Sequence, residues 1–424
     1  MVIIILSSIN KLLWGLTTIF LILSGIYFSN KLKFLQFNIK RMLKGFKSDE
    51  NESVSPFKTL MLTLAARIGV GSLAGIALAI YIGGPGTIFW LWISTIIVVP
   101  NAYVESFLAV MFHEKRCNKN VGGPSYYIDK GLKNQKLSKL YAILVFVTYI
   151  FGFLTIQSNT IAKSFQNFNN SNPLVIGLIV AFIAGATIFK GAKSIINMSS
   201  KIMPFIGVFF VVVSGYILIT NIEQLPQVIY LIISEAFNIK SLGIGIITPF
   251  IIGFQRGIFS NEAGVGSGAI AAATVDNNDA RGQGMIQILG IYFTSLILCT
   301  LTAFIILLSD YNINVFQNIN GIELTQYALR YHLGSFGDII LLITIFVFAF
   351  STIISGYYYG ENSIDYLIHN YNSKHYILKI LTILLLIAGS VIKPKVLWNF
   401  VDIGIAIMAL INIYAILKLR DKVK

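Results

Sequence analysis

The residues 66–75 read Ala-Arg-Ile-Gly-Val-Gly-Ser-Leu-Ala-Gly, three glycines and an arginine inside an otherwise apolar run. Glycines at this density interrupt a helix. In a bilayer such a break frees N–H and C=O groups that lipid cannot satisfy, so it persists only against a cavity or other helices. Half-helix N-termini carry partial positive charge and suit a carboxylate, whereas unwound carbonyls suit a cation or an ammonium group. A zwitterionic amino acid needs both. The same glycines serve equally well as a close-packing face between helices, and the residues alone leave both readings open. Gln157 and Asn159 stand two apart in another apolar run. Buried amides there either bond across helices or line a cavity, the first being the commoner use. Glu105 and Asp338 lie near the ends of apolar runs, where exposure to water or an ion pair is expected. His113, His332, His369 and His375 have no metal-ligand spacing, and Cys117 and Cys299 fall in a loop and a span, so neither a metal site nor a disulfide is expected. With no HExxH, GxSxG or Walker A pattern, the chain is not expected to be an enzyme or an ATP-driven pump.

The elements that position these residues follow from the composition. The 424 residues are 56% hydrophobic and 12% charged, with mean hydropathy +0.77. Soluble domains carry about twice that share of charge. Apolar runs of the roughly 20 residues that cross a bilayer recur near 9–28, 59–82, 86–112, 139–165, 172–189, 201–222, 242–268, 284–309, 337–357, 376–392 and 396–418. The fold class is therefore an all-α polytopic membrane protein of about 11 transmembrane helices, a single domain over 1–424. The N-terminal run lacks a basic n-region and a cleavage site, so a retained span is expected. Net charge of +14 does not imply nucleic acid, because most of the 32 basic residues fall in alternate loops: 29–58, 113–139, 190–201, around Arg281, 374–379 and the tail. The other side holds only Lys11, Lys163, Lys240, Arg330, Lys393 and Lys395. That asymmetry places the N-terminus outside and the C-terminus in the cytoplasm of a cell inner membrane.

Gly69-Val70-Gly71-Ser72 in the second span is echoed by Gly264-Val265-Gly266-Ser267 in the seventh. Paired interrupted spans point to a transporter site on inverted repeats. The division is an extra helix and basic loop (1–58), five helices (59–222), five more (242–418) and a tail (419–424).

At these residues the chain resembles the alanine or glycine:cation symporter family, also called the sodium:alanine symporters. The resemblance runs in order through Gly83-Gly84-Pro85-Gly86, Phe89-Trp90 and Trp92, Tyr103 and Glu105, Gly122-Gly123-Pro124 with Tyr126-Tyr127-Ile128, and Gln157 with Asn159. Its most specific block is Arg256-Gly257 with Phe259-Ser260-Asn261-Glu262-Ala263-Gly264 and Gly266-Ser267. Gln283-Gly284, Cys299-Thr300, Phe350-Ser351-Thr352 and Tyr358-Tyr359-Gly360-Glu361 follow. The resemblance implies a LeuT-type five-plus-five inverted-repeat core with one added N-terminal helix. It also implies uptake of a small neutral amino acid such as alanine or glycine, coupled to Na+ or H+, with no other cofactor. By the same resemblance Ile68, Gly69, Gly71, Gln157 and Phe259 are pocket positions, joined by Ser72, Asn159, Ser260 and Gly356.

Some positions depart from the family pattern. Arg67, Val70 and Ser72 replace two threonines and an asparagine of the broken helix; Thr294 stands for a usual aspartate and Gly356 for a tryptophan. Arg67, Val70 and Thr294 are thus the coupling-site candidates, because a hard cation wants oxygen ligands and these positions have lost or altered them. Arg67 serves either as a buried charge paired with a carboxylate or as a fixed cation near a sodium position. Gly356 implies an enlarged pocket and a bulkier substrate, or a gap filled by Tyr357 or Tyr358. A sodium-independent exchanger or facilitator, or a non-transporting amino-acid sensor, shares the pattern. Oligomeric state is not legible.

Overall fold

A computed structural model of the chain describes residues 2–47, 52–116, 119–238, 246–310, 321–368 and 374–423, with side chains from Ser8 and excluding that of Lys374. Backbone amides in apolar runs find no water, so they are satisfied within helices. In chain order these are α1 (Val2–Lys31), α2 (Ile39–Lys44), α3 (Pro56–Arg67), α4 (Ile76–Gly83), α5 (Thr87–Met111), α6 (Pro124–Leu132), α7 (Gln135–Phe146), α8 (Leu154–Asn169), α9 (Pro173–Ile188) and α10 (Ala192–Thr220). They continue with α11 (Leu225–Ala236), α12 (Ile247–Asn261), α13 (Ser267–Ala272), α14 (Ala280–Ile291), α15 (Thr300–Leu308), α16 (Ile322–Leu333), α17 (Ser335–Ile368), α18 (Lys374–Gly389) and α19 (Pro394–Lys418). Wide π-turns join α7 to α8 and α14 to α15, so each pair runs as one rod.

Seven helical rods are long and apolar enough to cross a membrane: Ser8–Lys31, Thr87–Met111, Gln135–Asn169, Ala192–Thr220, Ala280–Leu308, Ser335–Ile368 and Pro394–Lys418. An eighth candidate, Pro56–Arg67 with Gly71–Gly83, bends by 52° at its break. Pro173–Ile188 and His375–Gly389 are shorter apolar helices. The chain is therefore a helical integral membrane protein. Its large outward-facing side chains, such as Phe182, Phe205 and Ile219, suit lipid.

The two interrupted helices meet in the middle. The turn 71–75 packs on α12, α13 packs on α3, and α8 and α17 lie alongside. The added helix α1 lies against α5 and α19, with the Trp14 indole N–H donating to the Asp402 carbonyl at 3.1 Å.

Several expectations are corrected. The basic loop after α5 carries a two-stranded hairpin, Glu114–Arg116 with Lys119–Val121, a small addition to an otherwise all-α chain. The amphipathic connectors α6, α11 and α16 fall between the expected spans, because helices of 9–12 residues are too short to register as bilayer crossings. Helices also outrun the apolar windows, α17 by eleven residues beyond 357, since hydrogen bonding continues past the hydrocarbon. Glu105 is fully buried rather than exposed or ion-paired; Asp338 is ion-paired, to Arg330 at 2.7 Å. Cys117, His369, Lys240, Lys424 and the boundary at 242 lie outside the described residues. Among those residues Cys299 is a free, buried thiol, and no cluster of metal-ligating side chains occurs.

Candidate functional site

Helix α3 stops at Arg67; Ile68 leaves helical geometry at φ −88°, ψ 78° and donates its amide only to the Leu64 carbonyl. The freed groups are met by side chains. The Val70 N–H donates to Gln157 Oε1 at 3.0 Å, the Thr352 hydroxyl to the Ala65 carbonyl at 2.9 Å, and the Ser72 hydroxyl to the Gly69 carbonyl at 3.0 Å. Gly69 permits this approach: a Cβ there would strike the Thr352 hydroxyl and come within 2.9 Å of Gln157 Oε1. Gly71 is covered by the Phe259 ring, which a Cβ would meet at 2.9 Å. The Gln157 amide nitrogen is buried and donates to nothing among the described residues. Four of the expected pocket positions, Gly69, Gly71, Gln157 and Phe259, are thus brought together, with Ile68 and Ser72 buried in the same turn.

The second break spans 262–266. Glu262 adopts the left-handed φ of 56°, and Gly264 and Gly266 follow at 79° and 92°, conformations that glycine adopts without steric cost. Here the freed carbonyls are already taken. The Asn412 amide donates to Gly264 O at 3.0 Å and the Tyr141 hydroxyl to Val265 O at 2.7 Å. Asn412 also donates to Glu105 at 2.8 Å, and the Tyr149 hydroxyl donates to Glu262 at 2.6 Å. Glu105 and Glu262 are buried carboxyl neighbours of Arg67, although among the described residues neither comes within ion-pair distance. Arg67 instead donates to Gln287 Oε1 at 3.2 Å and packs on Gly268 and Gly290. The Thr294 hydroxyl turns back to the Gly290 carbonyl at 2.9 Å, so Arg67 of α3 packs on the stretch of helix that leads to Thr294, while the Val70 N–H meets Gln157.

Above Phe259 lies a lid. Arg256 and Asp402, both buried, form an ion pair; the guanidinium carbon sits 4.9 Å from the Trp398 ring centre and 5.3 Å from that of Phe259. Phe259 stacks on Phe153 at 5.1 Å and 14°. Over this lid opens a cavity of about 520 Å³ reached by Lys11, Lys163, Glu323 and Lys395.

Three expected pocket residues have other partners. Asn159 donates to the carbonyls of Gly389 and Ile392, tying α8 to α18, although it also borders the upper cavity. Ser260 pairs with the Cys299 thiol at 3.1 Å. Gly356 faces Leu154 and Tyr149, whose carbons would lie 2.9 and 3.3 Å from a Cβ, so these two side chains occupy space beside it. The residues that sequence reasoning passed over are Thr352, Glu262, Tyr149, Trp398 and Asp402. Thr352 and Glu262 stood inside the quoted motifs; Trp398 and Asp402 belong to the last helix, with no local pattern to mark them.

The sodium:alanine symporter family matches residues 1–424. The chain belongs to that family. It is 39% identical to the "Probable sodium/glutamine symporter GlnT" of Bacillus subtilis, over 98% of this chain and 87% of the relative. It is 36% identical to the amino-acid carrier protein AlsT of the same organism (97% and 88%), and 31% to the sodium/alanine symporter AgcS of Methanococcus maripaludis (98% and 94%). Family membership makes the chain a cation-coupled amino-acid symporter, and the family's members are transporters rather than enzymes.

Proposed function

We propose that the chain takes up a small neutral amino acid together with sodium, across a cell inner membrane, through the broken helix α3/α4. One observation carries this reading: at the break Gln157 holds the Val70 amide and keeps a buried, unpaired amide N–H, the donor a substrate carboxylate needs. The Phe259 ring over Gly71 supports a small side chain. Sodium is supported by the names of the relatives, one of which is a sodium/alanine and another a sodium/glutamine symporter. The proposed architecture has eleven crossings, counting α12 with α13 as a broken span, with LeuT-type repeats over 59–222 and 242–418 after the added helix. Its N-terminus is outside and its C-terminus cytoplasmic, as the basic residues indicate.

A second reading is sodium-independent exchange, favoured by Arg67, a permanent cation buried between the breaks. Proteoliposomes separate the two. Under the first reading, replacing external sodium with choline abolishes uptake of labelled alanine, glycine or glutamine. Under the second, uptake is unchanged and labelled substrate still exchanges. Binding without either flux is the outcome for a sensor.

A further inference from the structure

On the side assigned to the cytoplasm, a second cavity of about 490 Å³ lies where α1 ends, α2 crosses and α14 begins. Its lining is strongly basic: Lys31, Lys33, Arg41, Lys44 and Arg281 converge on it, against the one carboxylate of Asp279. That carboxylate is engaged, accepting the Gly282 N–H at 2.9 Å to cap α14. Lys31 is partnered, to Asp421 at 3.7 Å. Lys33, Arg41, Lys44 and Arg281 have no ionic partner among the described residues. Four unpaired cations around one hollow call for an anion with several acceptor oxygens.

The outer surface of the same segment shows where that anion comes from. Phe34, Phe37, Ile39 and Leu43 are each more than half exposed, beside Lys33, Arg41 and Lys44. A short helix with bare apolar residues on one side and basic residues on the other lies in the plane of a membrane interface. The chain makes that turn through two successive left-handed residues, Lys33 and Phe34, both at φ 54°. Such strain persists only where the surroundings hold it. Gly45 anchors the far end against Gly282 of α14, where a Cβ would lie 2.5 Å from the Gly282 carbonyl oxygen.

We propose that this cavity binds the phosphate headgroup of an anionic phospholipid, with the acyl chains descending past Phe37, Ile39 and Leu43. Basic pockets between membrane helices at the cytoplasmic face take such headgroups. The lipid would join α1 and α2 to α14, the helix that carries Gln287 and Gly290 beside Arg67.

The test uses the purified full-length chain in neutral detergent, followed by thermal unfolding. Short-chain phosphatidylglycerol, phosphatidylcholine and inorganic phosphate are titrated separately; a ligand that prefers the native state raises the midpoint in a saturable way. The expected result is a saturable rise with phosphatidylglycerol only. In the double variant Lys44→Gln with Arg281→Gln its apparent Kd should weaken by about thirtyfold, the loss of two interfacial charges. The exposed pair Lys136→Gln with Lys139→Gln, away from the cavity, should bind as the native chain does. Equal effects of phosphatidylcholine, or an equal loss in the Lys136/Lys139 variant, overturn the proposal. Inorganic phosphate acting as well as phosphatidylglycerol also overturns it, showing a soluble-anion site. Binding is read without transport, so failure here leaves the symport reading untouched.

Discussion

Gln157 is the residue on which the proposed substrate site turns, because one of its amide atoms is used by the fold and the other has no partner among the described residues. Removing a buried hydrogen-bonding group costs about 1–3 kcal/mol, or roughly 5- to 150-fold in affinity. Gln157→Ala should weaken amino-acid binding by that order while the protein still inserts; isothermal titration with alanine checks it, and unchanged affinity would reduce Gln157 to packing. Gly264→Ala tests the second break differently. A Cβ at φ 79° costs about 1–2 kcal/mol of strain and would also press on Leu21. The expected outcome is a lowered unfolding midpoint that substrate no longer restores fully. Gly356→Trp should fail to fold normally, since Leu154 and Tyr149 already fill the space an indole would need.

Among the elements, the last helix matters more than its sequence suggests. α19 supplies Asp402 to Arg256 above the site and Asn412 to Glu105 and Gly264 below it. Removing one partner of a buried ion pair leaves an uncompensated charge and costs about 3–5 kcal/mol. Asp402→Ala should therefore destabilise the protein far more than it alters substrate selectivity, as thermal unfolding in detergent would show. The hairpin Glu114–Arg116 with Lys119–Val121 carries the clearest pH dependence. Burial opposes the charge on Glu114, but hydrogen bonds from Lys130 and Arg116 outweigh it and hold the carboxyl below its ordinary range. A depressed folded value means that the stabilisation is complete above the unfolded value of about 4.3 and fades as pH falls through the folded one. Protection factors of the hairpin amides, taken relative to intrinsic exchange at each pH, should fall only on acidification, and Glu114→Gln should remove that pH dependence.

For the molecule as a whole, orientation is the first quantity to measure. Under the proposed orientation, argued from basic loops on alternate sides, a reporter fused after the C-terminus should be active only in the cytoplasm. Periplasmic activity there would reverse every statement about which cavity faces which solvent. In the proposed orientation the two cavities have opposite assignments: the one bounded by Lys163, Glu323 and Trp398 would open outward above the proposed substrate site, and the basic one would face the cytoplasm.

Apolar run length depends on the residue types alone, so the helical membrane class was legible before any coordinates. The break at 68–71 was legible as well, because glycine spacing is a local property of the chain. Gln157 and Phe259 were placed by resemblance, and the structure brings both to that break. What the linear chain does not contain is which distant side chains meet the freed backbone groups. Thr352, Asn412 and Tyr141 reach the breaks from helices up to 287 residues away, and Asp402 reaches Arg256 across 146. The same limit explains Gly356 and Asn159: comparison with the family pattern marked Gly356, and an amide such as Asn159 could bond across helices or line a cavity, but only packing set Leu154 and Tyr149 beside the one and tied the other to α18. A side chain's type sets what it can bond to, and only the tertiary arrangement decides which partner comes within reach.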